Sequence, residues 1–259
     1  MNKYLSIFIL LALLPFLPAF SNDPFNYFVE VKNFKEHILS ENVSRFRLSS
    51  SAGDFTLIET YYQKITKRYE KDAIKKLAIR TGATDLTVSP NEPSKEYLIN
   101  TRYLNLDSPE INQAVKQLKN PGSGIRSVED YVYAQISDKL LGIPMLPANQ
   151  IIKIRRGDCT EHSVLSVAIL RKLGIPARAV AGMYLADSFR GRKNIFVYHM
   201  WAEAFYKGKW RLVDATMPGK KHLNRYIAFA YHNLKTEAPL SYLRAISSIQ
   251  NFSVEYIDE

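Results

Sequence analysis

The helix from Cys159 to Leu173 constrains the fold more than any other stretch, because from Val164 onward it is apolar on nearly every side. Val164, Leu165, Val167, Ala168, Ile169, Leu170 and Leu173 leave no polar face to turn to water. A helix built from them must be enclosed in a core rather than laid on one. Asp158 stands where an N-cap belongs, and Glu161, three positions on, completes an Asp-x-x-Glu capping box, so the helix is predicted to start at Cys159. Gly174 stops it, with Pro176 just beyond. A chain of 259 residues, 46% of them hydrophobic, can bury a substantial core, and it suits one domain plus an appendage or two small domains.

Cys159 is the only cysteine, so no internal disulfide can form, and its thiol is either buried filler or a reactive group. At a helix start, orphaned N–H groups and the positive end of the dipole favour a thiolate by about 0.3–1 kcal/mol, rising to about 2 when partly buried. A nucleophile also needs a cationic neighbour. Residues 1–21 combine Lys3, an apolar run from Tyr4 to Phe20 and Ala19-Phe20-Ser21 before polar Asn22-Asp23. This reads as a signal peptide cleaved after Ser21, predicting an exported protein, periplasmic or secreted. An uncleaved anchor of borderline length is the alternative, disfavoured by Pro15 and Pro18. The net charge of +10 suggests attraction to acidic surfaces. Lysine and arginine are spread along the chain without an aromatic-interleaved cluster, which argues against nucleic acid as the partner.

Residues 22–100 show no chemistry-bearing motif and read as a small, mostly β region. Strands are expected at Tyr27 to Val31, Val43 to Leu48 and Asp54 to Tyr61, while Lys64 to Thr81 fits either a helix or a hairpin. Residues 101–259 read as the core domain. Tyr97 to Leu106 is expected as a strand leading into it, followed by a helix opened by Ser108-Pro109-Glu110. A second helix is expected from Val128 to Leu141 with Tyr131, Ala134 and Ile136 inward. After the cysteine helix, Ala177 to Leu185, Ile195 to Tyr206 and Trp210 to Asp214 read as strands, with Asp187 to Asn194 a polar loop. A strand near Tyr226 to Tyr231, a helix from Leu240 to Ile249 and a strand at Phe252 to Ile257 complete an α+β pattern.

Strand alternation puts His199, Trp201, Glu203 and Phe205 on one face, and Trp210, Leu212 and Asp214 on one face of the next strand. A four-residue loop from Tyr206 to Lys209 would set Phe205 opposite Trp210 and make Asp214 a diagonal neighbour of His199. If the cysteine helix packs its first turn against that face, Cys159, His199 and Asp214 become nucleophile, base and orienter. Asp214 would fix the imidazole tautomer, and the imidazolium would lower the thiol pKa. Glu203 is expected to brace the sheet and Trp201 to shield the His–Asp pair. His162 could be half of a Cys-x-x-His zinc site, but no second cysteine supports one, and helix packing is the simpler role.

Gly157-Asp158-Cys159, His199-Met200-Trp201-Ala202-Glu203 and Trp210-Arg211-Leu212-Val213-Asp214-Ala215-Thr216 closely resemble the core of the transglutaminase-like superfamily. The resemblance spans roughly Thr101 to Pro218, including the linker Leu173-Gly174-Ile175-Pro176-Ala177-Arg178, and says little about residues 22–100. It implies a papain-like α+β fold with a central helix carrying the cysteine packed on an antiparallel sheet. It also implies Cys159 as nucleophile, His199 as general base and Asp214 as third member of a triad. The implied reaction is acyl transfer through a thioester on protein or peptide amides, with water or a primary amine as acceptor. The Cys159 N–H would be one oxyanion donor, and Tyr131 and Tyr133 are candidates for the second. Animal transglutaminases carry extra β-domains and depend on calcium. This chain has no room for those domains and no obvious calcium loop, so no metal or cofactor is expected. A cysteine peptidase of the same fold and a catalytically silent module binding acidic surfaces remain the alternatives.

Overall fold

The computed structural model describes residues 28–51, 55–71, 74–82, 93–118, 124–140, 145–219, 221–235 and 252–258. The expected signal peptide over 1–21 and the expected helix from Leu240 to Ile249 lie outside them. The first strands are β1 (Phe28–Lys32), β2 (Val43–Ser50), β3 (Gln63–Lys71) and β4 (Ile74–Gly82). In β2, Ser44, Phe46, Leu48 and Ser50 alternate into the core. The ambiguous stretch from Lys64 to Thr81 is the β3–β4 hairpin, whose Leu77 and Ile79 face inward with Phe46 and Leu48. The strand expected at Asp54 to Tyr61 is not a ladder. Phe55 and Leu57 are buried, but only Thr60 forms a bridge, to Gln63. Alternation reports which side meets a core, not whether a neighbouring backbone stands alongside.

The strand expected at Tyr97 to Leu106 is likewise irregular, with a 3-10 turn at Lys95–Tyr97 and then further turns. Asn105 takes a left-handed φ of 46°, and Asn100 accepts the Leu106 N–H, so local bonds replace a ladder. Helix α1 (Pro109–Lys116) has the expected start, with Ser108 accepting the Ile111 N–H at 3.3 Å. In α2 (Ile125–Gln135) the buried side is Ser127, Val128, Glu129 and Val132; of the residues expected inward, Ile136, just past the helix, is buried and Tyr131 packs half-buried against the core, whereas Ala134 is exposed. The inward side of the helix also carries a carboxylate, Glu129, which faces polar partners described below. Then come β5 (Asp138–Lys139), α3 (Ala148–Ile154), β6 (Arg156–Gly157), α4 (Cys159–Lys172), β7 (Ala177–Phe189), β8 (Arg192–Tyr206), β9 (Lys209–Val213), β10 (Tyr226–His232) and β11 (Phe252–Tyr256). The loop expected at Asp187 to Asn194 is instead a tight Arg190-Gly191 turn at φ 47° and 79°, closing a long β7–β8 hairpin.

Among the described residues, nine strands form one sheet, in the order β10-β7-β8-β1-β11-β2-β4-β3, with β9 on β8. The N-terminal strands are thus continuous with β7 and β8. The sheet curls until its two ends meet. Gln63 of β3 donates to the Ala228 carbonyl of β10 at 2.8 Å and accepts the Ala228 N–H at 2.9 Å, its amide standing in for a peptide where β10 breaks register. Every residue of α4 from Thr160 to Arg171 is buried, with α1, α2 and α3 on one side and Ala177, Ala179, Met200, Ala202 and Ala204 of the sheet on the other. The enclosure implied by its all-round apolar sequence is therefore complete.

Candidate active site

Cys159 is positioned by its cap. Asp158 accepts the Thr160 N–H at 2.8 Å, and Glu161 Oε2 accepts the Asp158 N–H at 3.0 Å. The returning Glu161 lies so close to Gly157 that a Cβ there would meet it at 2.4 Å, so this position must be bare. His162 donates through Nδ1–H to the Asp158 carbonyl at 2.6 Å, and Ser163 donates to the Cys159 carbonyl at 2.7 Å. His162 is thereby committed to packing and capping the first turn. As a residue Cys159 is half-buried.

The sheet receives this helix end at an interruption. Along one edge of β8, β7 pairs continuously from Ala204 back to Ile195 and on to Arg192. Along the other edge, β1 pairs with Ile195, Phe196 and Val197, and β9 pairs with Ala202 through Tyr206. Among the described residues, 198–201 have no strand on that side, and there the Met200 N–H turns to the Cys159 sulfur. This corrects the expectation that α4 packs on the His199 face. Met200, Ala202 and Ala204 lie under α4, whereas His199 and Trp201 point to the other face, toward Tyr62 and Tyr226. Cys159 meets β8 at its edge, beside the peptide that joins His199 to Met200.

The β8–β9 register sets Phe205 opposite Trp210, as expected, and closes one pair further at Tyr206 and Lys209 around Lys207-Gly208, both at positive φ. Asp214, just past β9, therefore reaches His199, and its Oδ2 lies 2.7 Å from His199 Nε2. The same Oδ2 accepts the Tyr226 hydroxyl at 2.9 Å, while Oδ1 accepts the Thr216 N–H and hydroxyl at 3.0 and 2.6 Å. The Asp214 N–H donates to Glu129 Oε1 at 2.8 Å, and Glu129 is itself paired with Lys221 at 2.9 Å. His199 stacks on Trp201 with centroids 5.9 Å apart at 26°. Opposite His199 in β7 stands Gly182, where a Cβ would strike the Ile227 carbonyl at 2.1 Å and the Trp201 ring at 2.6 Å.

Electrostatics divide the site in two. Burial opposes ionisation of Asp214, but His199, Thr216 and Tyr226 together outweigh it and hold its carboxyl well below the usual range. An ionised Asp214 must accept from Nε2–H, so Nδ1 is the ring nitrogen left to exchange a proton with another group. The thiol is pushed the other way. Burial raises the Cys159 pKa well above its ordinary value, and Asp158, Glu161 and Asp214 add to this against the Met200 N–H. The surroundings thus favour a thiol at rest, contrary to the expected depressed pKa.

Glu203 braces the sheet as expected. It takes a two-pronged ion pair from Arg178 at 3.0 and 2.8 Å and the Tyr62 hydroxyl at 3.1 Å, and Tyr62 in turn accepts the Trp201 indole N–H at 3.1 Å. Trp201, 1% exposed, closes over the histidine. Of the two tyrosines suggested as oxyanion donors, Tyr131 is engaged with Gln117 at 3.4 Å, and Tyr133 is exposed with Lys139 above its ring. Sequence reasoning missed Tyr226 and Glu129. Glu129 carried a usable signal, being an acid on the same helical side as Val128 and Val132.

A half-buried cysteine opening an enclosed helix, beside a strand that carries a buried His–Asp pair, defines a papain-like thiol-site architecture. Residues 109–215 match the model of the transglutaminase-like superfamily. The chain is similar in fold to a candidate cysteine protease from Cytophaga hutchinsonii, with 18% identity, 83% of this chain and 86% of that one covered, and a TM-score of 0.50. It also aligns with the periplasmic domain of TgpA from Pseudomonas aeruginosa bound to ethylmercury, at 12% identity over 68% and 73% of the two chains with a TM-score of 0.46. A third alignment is to red sea bream transglutaminase, at 11% identity over 68% and 46% with a TM-score of 0.33. No curated protein matches the sequence.

Proposed function

We propose that the chain is an exported thiol enzyme that performs acyl transfer or hydrolysis on protein or peptide amides through a Cys159–His199–Asp214 triad. The observation that carries this reading is the buried His199–Asp214 pair, 2.7 Å apart, at the strand position whose adjoining peptide N–H meets the Cys159 sulfur. As the sulfur bonds to the amide carbon, the thiol proton passes to His199 Nδ1, and the carbonyl oxygen takes the negative charge beside the Cys159 N–H. The C–N bond then breaks, His199 returns the proton to the departing ammonia or amine, and a thioester remains. Water or a primary amine attacks it, again losing a proton to His199, and the thiol is restored. With the carboxylates opposing a lone thiolate, thiolate and imidazolium form together, each stabilising the other.

The test is the alkylation rate of Cys159 against pH, followed by intact mass, in the wild type and in His199→Ala. A wild-type thiol that reacts at neutral pH and loses that reactivity in the variant supports the pair. Equal, slow rates in both, rising only at alkaline pH, would sink it and favour a silent fold. If the pair holds, incorporation of an added amine into a peptide amide separates a transferase from a peptidase or amidase, and Cys159→Ala must abolish either. Export is read from the apolar run before Asn22 and is checked by the N-terminal residue of the protein recovered from cells.

A further inference from the structure

The β2–β4–β3 registers place Arg45 opposite Arg80 and Arg80 opposite Lys64, so three cations stand in one cross-strand row. Two positions along, the row is Arg47, Ala78 and Lys67; two further, it is Ser49, Lys76 and Tyr69. Phe46, Leu48, Leu77 and Ile79 fill the opposite face, so all nine residues look outward. With strands about 4.8 Å apart and alternate residues about 7 Å apart, the six cations occupy a patch with roughly 50 Å² for each charge. Arg47 is seated on Glu255 at 2.7 Å, and Glu59 takes the Ile65 N–H at the β3 edge. Lys64, Lys67, Lys76 and Arg80 have no carboxylate partner among the described residues. Arg80 Nε is buried without a hydrogen-bond partner.

Like charges directly opposite on a sheet weaken it. Fold stability therefore does not account for Arg80 directly opposite Lys64 with no carboxylate partner among the described residues, whereas an anionic surface laid against them would. We propose that this face docks the protein on an anionic phospholipid bilayer. The composition of the three rows favours a bilayer over unpaired nucleic acid, because Tyr69 as their lone aromatic gives no stacking platform for bases. Lys64, Lys67 and Lys76 are exposed and carry long stems that reach headgroup phosphates, and Tyr69, 37% exposed under Lys67, suits the headgroup level. The inference is independent of the thiol chemistry and would survive its failure.

The experiment compares sedimentation of the full chain with phosphatidylcholine vesicles and with vesicles containing phosphatidylglycerol. Insertion of the apolar N-terminal run is common to both vesicles, so the readout is their difference. In Lys64→Gln/Lys67→Gln/Lys76→Gln the preference for anionic vesicles is expected to fall by about a hundredfold. In Lys193→Gln/Lys207→Gln/Lys209→Gln, which removes the same net charge from exposed positions elsewhere, it is expected to persist. Cys159 alkylation in each variant reports that the fold and thiol are unchanged. Equal loss in both triples assigns the effect to net charge and overturns the proposal. So does wild-type binding that ignores lipid charge, or tighter retention on duplex DNA or another soluble polyanion at equal salt.

Discussion

Glu161 ties the helix cap to the electrostatics of the thiol. Burial, with Asp158 beside it, raises its carboxyl pKa to about 8, against an ordinary value of 4.5. Between those two pH values the unfolded chain releases this proton and the folded chain keeps it, so stability falls as pH rises through the window. Glu161→Gln can still accept the Asp158 N–H and has nothing to titrate. The melting temperature of the wild type should therefore decline relative to the variant between about pH 5 and 8.5. Parallel melting profiles would contradict the assignment. The same neutral carboxyl bears on the proposed chemistry, because below about pH 8 it withdraws one of the anions that oppose a Cys159 thiolate.

At the scale of elements, Asp214, the third member of the proposed triad, depends on a helix far away in sequence. Glu129 of α2 holds the Asp214 N–H, and Lys221 neutralises Glu129 at a site where both side chains are 10% exposed or less. Lys221→Met leaves a buried carboxylate alone and is expected to cost about 3 kcal/mol of stability. Glu129→Gln keeps an acceptor for Asp214 and leaves Lys221 bonded to the Met217 and Gly219 carbonyls, so it should cost less. Urea unfolding of the two variants checks the order, and a reversed order would mean that Lys221 is not serving Glu129. The inward side of Glu129 was legible from its place beside Val128 and Val132, but its partner Asp214 was not, because helical periodicity says nothing of which distant backbone N–H an inward acid meets. The cysteine helix was legible down to its cap because its signals are local. The His199–Asp214 contact was legible from alternation and the Phe205–Trp210 register, although the turn is two residues rather than the expected four, but the face that meets α4 was not. Both faces of β8 are buried, and alternation does not say which of two cores holds the helix.

In the whole molecule, the amide of Gln63 joins the first and last strands of a curled sheet and also donates to the Ile58 carbonyl at 2.7 Å. Gln63→Leu, of similar volume, strands those groups in a site with no solvent access. A loss of about 2–4 kcal/mol is expected, with amide exchange quickening first in β3 and β10. Uniform quickening across the sheet would show that Gln63 is not a local clasp. The solitary thiol has another consequence, measured in service life rather than stability. Oxidation of Cys159 to a sulfenic acid finds no second thiol within the chain to condense with, so recovery needs a thiol supplied from outside. A further oxidation is irreversible. In an oxidising medium each molecule's working life is therefore set by the reductant around it.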